Sequence, residues 1–303
     1  MSTLQLYLAT ILIWGSTWLA IKFQLGIVPP AVSVVWRFAL AAAMLLAYAR
    51  WKGLNLRFSA RNHAWMALQG LVMFGINYVC VYLSEQYLAS GLVAVAFSLI
   101  VFCNIIAIRI FFGTPINLKS LFAALLGVAG VALVFWPEVA DFSTSAGGPE
   151  GVILAIVGTV VASLGSIAAI RNQVHNHLPI IPLNGFAMLY GTFFVALYAA
   201  FSGDAFSFDW SFSYVASLIY LALFGSVLAF GAYLTLLKRI GADRAGYTGV
   251  AVPVIALLLS TLVENLHWQV PMVAGVALCV LGNVLMLRGT GKPAPTPVEE
   301  LRG

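Results

Sequence analysis

The sequence predicts an all-α integral membrane protein, with ten transmembrane helices arranged as two inverted-topology five-helix repeats around a central cavity. Three observations carry that expectation. The 303 residues are 62% hydrophobic and only 8% charged, too apolar for a fold whose surface meets water. Apolar runs of about 20 residues, each long enough to cross roughly 30 Å of hydrocarbon, recur from end to end. Basic residues gather in alternate connections between those runs, and the charged residues of the intervening connections are acids.

The spans fall at about 4–25, 30–51, 62–84, 88–111, 117–137, 149–170, 181–202, 212–237, 243–264 and 268–288. Arg50, Lys52, Arg57 and Arg61 lie between spans two and three; Arg109 and Lys119 follow span four, and Arg171 follows span six. Lys238, Arg239 and Arg244 follow span eight, and Arg288, Lys292 and Arg302 lie in the tail. All of these connections fall on one side. The other side receives Glu85, Glu138, Asp141, Glu150, Asp204, Asp209 and Glu264. Lys and Arg resist translocation, so the basic side is cytoplasmic and both termini lie there. An even number of spans is then required, and ten satisfies it.

The net charge of +5 therefore reflects orientation in a membrane and gives no reason to expect a nucleic-acid partner. The segment before span one has no Lys or Arg and no small-residue cleavage site follows it, so span one reads as a retained helix. Cys80, Cys103 and Cys279 fall within spans at no motif spacing, which makes them packed, reduced thiols.

A weak duplication appears when residue n is laid on residue n+152. Pro30 falls on Pro182, each opening a span; Ala89-Ser90 falls on Gly241-Ala242, each leading into one; Gly130 falls on Gly282. A shift of 150 lays Gly15-Ser16 on Gly165-Ser166. Five spans per half is odd, so the second half sits upside down, the arrangement that lets one site face either side of a membrane. The chain divides accordingly into a first repeat (1–140), an acidic and polar external linker (141–149), a second, inverted repeat (150–290) and a Pro-rich cytoplasmic tail (291–303) expected to be disordered.

Several motifs resemble a known group. Trp14-Gly15-Ser16-Thr17-Trp18, Trp36-Arg37-Phe38, Gly241-Ala242-Asp243-Arg244-Ala245, Pro253-Val254 and Glu264, in that order on ten spans, are similar to the EamA-type branch of the drug/metabolite transporter superfamily. Within it the chain looks most like the YddG-type aromatic amino-acid exporters. The resemblance implies ten helices in an inner membrane, transport by alternating access, and a cavity lined by spans one, three, four, six, eight and nine. Two departures stand out. Members usually carry a proline midway along span four and a Gly-Glu pair after it, where this chain has Val101 and Gly113-Thr114. The kink of span four is thereby in doubt, while Pro253 keeps its counterpart in span nine.

A solute path needs polar or flat side chains near mid-depth, facing the bundle interior. The candidates are Trp14, Ser16, Thr17 and Trp18; Asn77, Tyr78 and Tyr82; Phe97, Ser98 and Asn104; Thr159, Ser163 and Ser166; Ser226 and Tyr233; Tyr247 and Thr248. The inventory is aromatic and hydroxylic, with no acid at mid-depth. Lys22 and Arg37 escape the loop pattern, and Arg37 lies roughly 10 Å below the outer surface at the helical rise. Each has two readings: a structural charge that snorkels or pairs with Glu85 or Glu264, or a contact for a solute carboxylate near the outer gate. Pro253 should kink span nine.

These features point to a carrier of small organic metabolites, first among them amino acids with aromatic or large apolar side chains, moving outward. Other metabolites or drugs remain alternatives, as do two other classes, a channel and an intramembrane enzyme. The second lacks a cluster of acids, bases or nucleophiles at depth. No cofactor, metal or obligate protein partner is implied. The partners are a small-molecule solute and the lipid bilayer.

Overall fold

The computed structural model describes residues 1–113, 118–136, 148–233, 235–236, 239 and 248–289. Among those residues every regular element is helical. In chain order they are α1 (Thr3–Lys22), α2 (Pro30–Trp51), α3 (Ala60–Ser84), α4 (Ser90–Phe112), α5 (Leu118–Val134), α6 (Gly148–Val174), α7 (Ile180–Phe201), α8 (Phe212–Tyr233), α9 (Thr248–Val263) and α10 (Val270–Gly289). Seven are long and apolar enough to cross a membrane, and α5, α9 and α10 contribute shorter apolar helices. Each falls within a few residues of a span read from the sequence. The linker, apart from its last two positions, and the tail lie outside the described residues, as does Tyr247.

Local chemistry sets the helix starts. Ser2 accepts from Gln5 N–H while the Gln5 side chain accepts from Ser2 N–H, a reciprocal cap on α1. Ser59 and Ser211 cap α3 and α8 with their hydroxyls. Pro30 opens α2, where its missing donor costs nothing.

Two irregularities were not legible in the apolar pattern. Gly70–Ile76 within α3 and Tyr220–Leu228 within α8 are wound as π-helix, a wider turn that shifts hydrogen bonds to i→i+5. Span four, whose kink the absent proline put in doubt, does break. A turn at Ser98 and Leu99 separates Ser90–Phe97 from Ile100–Phe112, and Ser98 Oγ donates back to Val95 O at 2.6 Å. A hydroxyl that bonds its own preceding turn bends a helix without help from proline.

Packing is inverted relative to a soluble domain. The outward faces are apolar, with Leu4, Leu8 and Leu12 exposed on α1 and Leu121, Leu125 and Val128 on α5. Such faces are stable against hydrocarbon, which also requires every backbone polar group to be paired within its helix. Trp51, Trp136, Trp210 and Trp268 are exposed close to helix ends, where an amphipathic ring suits the membrane–water boundary.

The most extensive helix pairs are α5 with α10, α3 with α6 and α2 with α7; α1 packs on α9, and α6 also on α4. The α5–α10 seam brings backbone against backbone. A methyl added at Gly130 would sit 2.7 Å from Cys279 N, one at Gly275 2.6 Å from Val134 N, and one at Gly282 2.8 Å from Ala123 O. Small residues are what allow that approach. Gly130→Val is therefore expected to lower the melting temperature of the purified protein by roughly 2–5 °C, from about 1–3 kcal/mol of overpacking. Gly231→Ala, where nothing lies within 4 Å of an added methyl, should leave it unchanged. Thermal melts monitored by tryptophan fluorescence compare the two.

Candidate functional site

A cavity of about 440 Å³ opens between α1, α2, α3, α4, α6, α8 and α9. The walls follow from helical spacing. Trp14, Thr17, Trp18 and Ile21 recur at i, i+3, i+4 and i+7 along α1, and Met73, Asn77 and Val81 repeat every four residues on α3. The broken segment of α4 contributes Phe97 and Ser98, α6 contributes Ala162 and Ser166, and α8 contributes Phe230 and Tyr233. Every lining residue of α9 lies between Thr248 and Pro253, at the end of that helix remote from Glu264.

Aromatic rings dominate. Trp14 meets Tyr233 at 5.2 Å and Phe230 at 5.3 Å between centroids, and Trp18 meets Phe97 at 5.3 Å. The Trp14 indole donates to Gly225 O at 3.3 Å, which fastens α1 to the π-helical turn of α8. These spacings favour tilted ring pairs and fix the walls.

Of the residues singled out from the sequence, Trp14, Thr17, Trp18, Asn77, Tyr78, Phe97, Ser98, Ser166, Tyr233, Thr248 and Pro253 line the cavity. Six named with them, Ser16, Tyr82, Asn104, Thr159, Ser163 and Ser226, do not. Ser16 faces α8, where its hydroxyl shares a 2.7 Å bond with Tyr220. Tyr82 lies behind the wall, fully buried, donating to Gln24 Oε1 at 2.7 Å. Ser163 is buried among helices without a hydrogen-bond partner. The search for polar side chains also passed over apolar lining residues. Phe230, three residues before Tyr233, and Val252, four after Thr248, were recoverable from helical spacing alone.

Arg37 lines the cavity and is 2% exposed. The guanidinium carbon lies 4.8 Å from the Tyr78 ring centre and 5.2 Å from that of Phe38. Nη1 donates to Tyr82 Oη at 3.4 Å, and Nε has no partner. Gly225 lies beside it: a methyl there would crowd Thr17 Cγ2 at 2.8 Å and touch Nη2 at an ordinary 3.6 Å.

The remaining charges form a knot at the far end of α1. Lys22 Nζ donates to the backbone oxygens of Glu85, at 2.5 Å, and Leu88, at 2.7 Å, and lies 3.5 Å from the Glu264 carboxylate. Glu264 also accepts from Ser90 N–H at 3.1 and 3.2 Å and from the Ser90 hydroxyl. A carboxylate at the first turn of α4 satisfies donors that the helix leaves open and sits favourably at its positive end. The knot joins the ends of α1, α3 and α9 to the start of α4.

Glu85, an acid of an outer connection by sequence, is buried. This first residue beyond α3 is 0% exposed, and neither carboxylate oxygen has a hydrogen-bond partner. Burial pushes its carboxyl well above the usual carboxylate range; Lys22 opposes the rise, Glu264 adds to it and Arg37 opposes it.

A sequence profile for the EamA-like transporter family matches residues 1–136 and 149–288. The chain belongs to that family. Among its relatives, the inner membrane transporter YedA of Escherichia coli (strain K12) is 27% identical over 96% of this chain and 93% of its own. A transporter of Archaeoglobus fulgidus is 24% identical over 92% of this chain and 96% of its own. One crystal structure, 18% identical, superposes with a TM-score of 0.67 over 96% of this chain and 99% of that one, which shows the same fold. Family membership makes this protein a multi-pass membrane transporter rather than an enzyme, and its solute is a small molecule.

The raised Glu85 value carries a sign. The folded chain holds a proton that the unfolded chain releases, so Glu85's contribution is fully present below the ordinary carboxylate range and is lost as pH rises toward the raised value. Glu85→Gln, which mimics the protonated form, should remove that part of the pH dependence. Melting curves across pH for both proteins test it, and equal slopes would contradict the assignment.

Proposed function

We propose that this EamA-family protein is a carrier that moves amino acids with aromatic or large apolar side chains outward across the inner membrane. The cavity carries the reading. Its volume of about 440 Å³ suits a molecule of that size, its walls are mostly apolar with aromatic rings from four helices, and its hydrogen-bonding groups are few. Phosphorylated solutes would call for several cations, and one lines the cavity. The relatives' names identify transporters and, for YedA, an inner membrane. The basic connections support a cytoplasmic location for both termini.

Alternating access by two inverted five-helix repeats, 1–140 and 150–290, is part of the proposal. Exchange of each helix for the one five places on maps the α1–α9 pair onto α6–α4, and leaves the α2–α7 and α5–α10 pairs in place. Both π-helical turns obey the same exchange, with Gly70 and Tyr220 standing 150 residues apart. The family profile matches once in each half. An odd number of crossings per half then inverts the second relative to the first.

Purified protein in liposomes should accumulate labelled phenylalanine or tryptophan against an internal pool of the same amino acid. Counterflow of that kind is given by a carrier and not by an open channel. Uptake no greater than that of empty vesicles would overturn the proposal. Trp18→Ala, which removes a ring from the Trp18–Phe97 pair, should weaken apparent affinity about fivefold if the pair supports solute binding.

A further inference from the structure

We infer that Arg37 is the carboxylate subsite of the cavity, so that the transporter selects solutes by their acid group and excludes their decarboxylated amines. The inference rests on the reading of this cavity as the solute site.

An arginine in a membrane interior needs a counter-charge, and none of the acids nearby pairs with it directly. Glu264 is occupied by Lys22 and by the start of α4. Asp209 accepts from Ser211, in the connection before α8. Glu85 stands close enough to influence Arg37 electrostatically, yet its carboxylate makes no hydrogen bond to it. Among the described residues no carboxylate lies within 4.0 Å of the guanidinium.

Its surroundings hold the group without neutralising it. The rings of Phe38 and Tyr78 offer quadrupole attraction, and the Tyr82 hydroxyl receives one long hydrogen bond. A guanidinium carries five N–H donors in a planar fork, and Nε is unused. That fork matches both oxygens of a carboxylate. Because the same side chain lines a cavity walled by Trp18, Phe97 and Tyr78, an acid bound to it keeps its apolar part among the rings. Among the described residues no Asp or Glu lines the cavity, so an ammonium without a carboxylate meets only dipoles and a like charge there.

The test uses the full chain in detergent and four probes on one skeleton: phenylalanine, 3-phenylpropanoate, phenylalaninamide and phenethylamine. Binding is measured by calorimetry and by the rise in melting temperature. The two carboxylates should bind at least about tenfold tighter than the two amines. Arg37→Gln should erase that preference, and Arg37→Lys, which keeps charge but loses the fork, should retain a weakened one. The ligand comparison on unaltered protein stands even if Arg37→Gln does not fold. Equal binding of all four probes would overturn the carboxylate subsite while leaving the aromatic cavity intact. Binding of none would remove the proposed function and this inference together.

Discussion

Hydrocarbon accepts no hydrogen bond, and that single constraint sorts the polar groups of this chain. With apolar residues covering the outer faces, polar side chains gather in the interior. At one level Gln69, Asn172 and Asn184 bond one another across α3, α6 and α7, at 2.9 and 3.3 Å. At another, Lys22, Glu264 and Ser90 join α1, α9 and α4. The cavity lies between helices that these clusters and the glycine seams hold in register. Each cluster ties its own set of helices, so one can part while the other holds, which is the mechanical requirement for a site that faces alternate sides.

Much of the fold was legible because lipid enforces a length and an orientation. Ten spans could be bounded from apolar runs, and the Arg and Lys distribution could be read independently of them. The cavity was legible wherever a residue type was incongruous at depth: Trp14, Asn77 and Arg37 drew notice because each is costly against lipid. Ser16, Tyr82 and Ser163 are incongruous for the same reason, yet their bonds or burial lie between helices. Composition cannot separate a polar group that faces a void from one that faces a neighbouring helix. That distinction depends on rotation about each helix axis, which tertiary packing sets.

The irregular backbone was hidden for another reason. A π-helical turn in α3 or α8 keeps the apolar composition of an ordinary span, and its signature is one extra residue in the hydrogen-bonding ring. Gly225 lies inside the second such turn, and its missing side chain admits Thr17 of α1. The break in α4 likewise comes from Ser98, a residue whose ability to bend a helix depends on which carbonyl its hydroxyl finds. Glu85 is a related case, a loop acid by sequence position that the ends of α1, α4 and α9 enclose.

The cavity and the charged knot are in physical contact through a short chain of side chains. Arg37 donates to Tyr82, Tyr82 donates to Gln24, and Gln24 follows α1 two residues after Lys22. Ser33 of α2 donates to Gln24 O at 3.3 Å and shares a 3.0 Å bond with Tyr214, so the same connection also reaches the first turn of α8. A carboxylate arriving at Arg37 competes with Tyr82 for the guanidinium. Any displacement of Tyr82 bears on Gln24, and through it on the segment that positions Lys22 against Glu264. If Arg37 is the proposed carboxylate subsite, reciprocity requires the knot to alter affinity there by the same free energy with which bound solute alters the knot. Two side-chain hydrogen bonds and the short segment from Gln24 back to Lys22 connect the cavity to the knot.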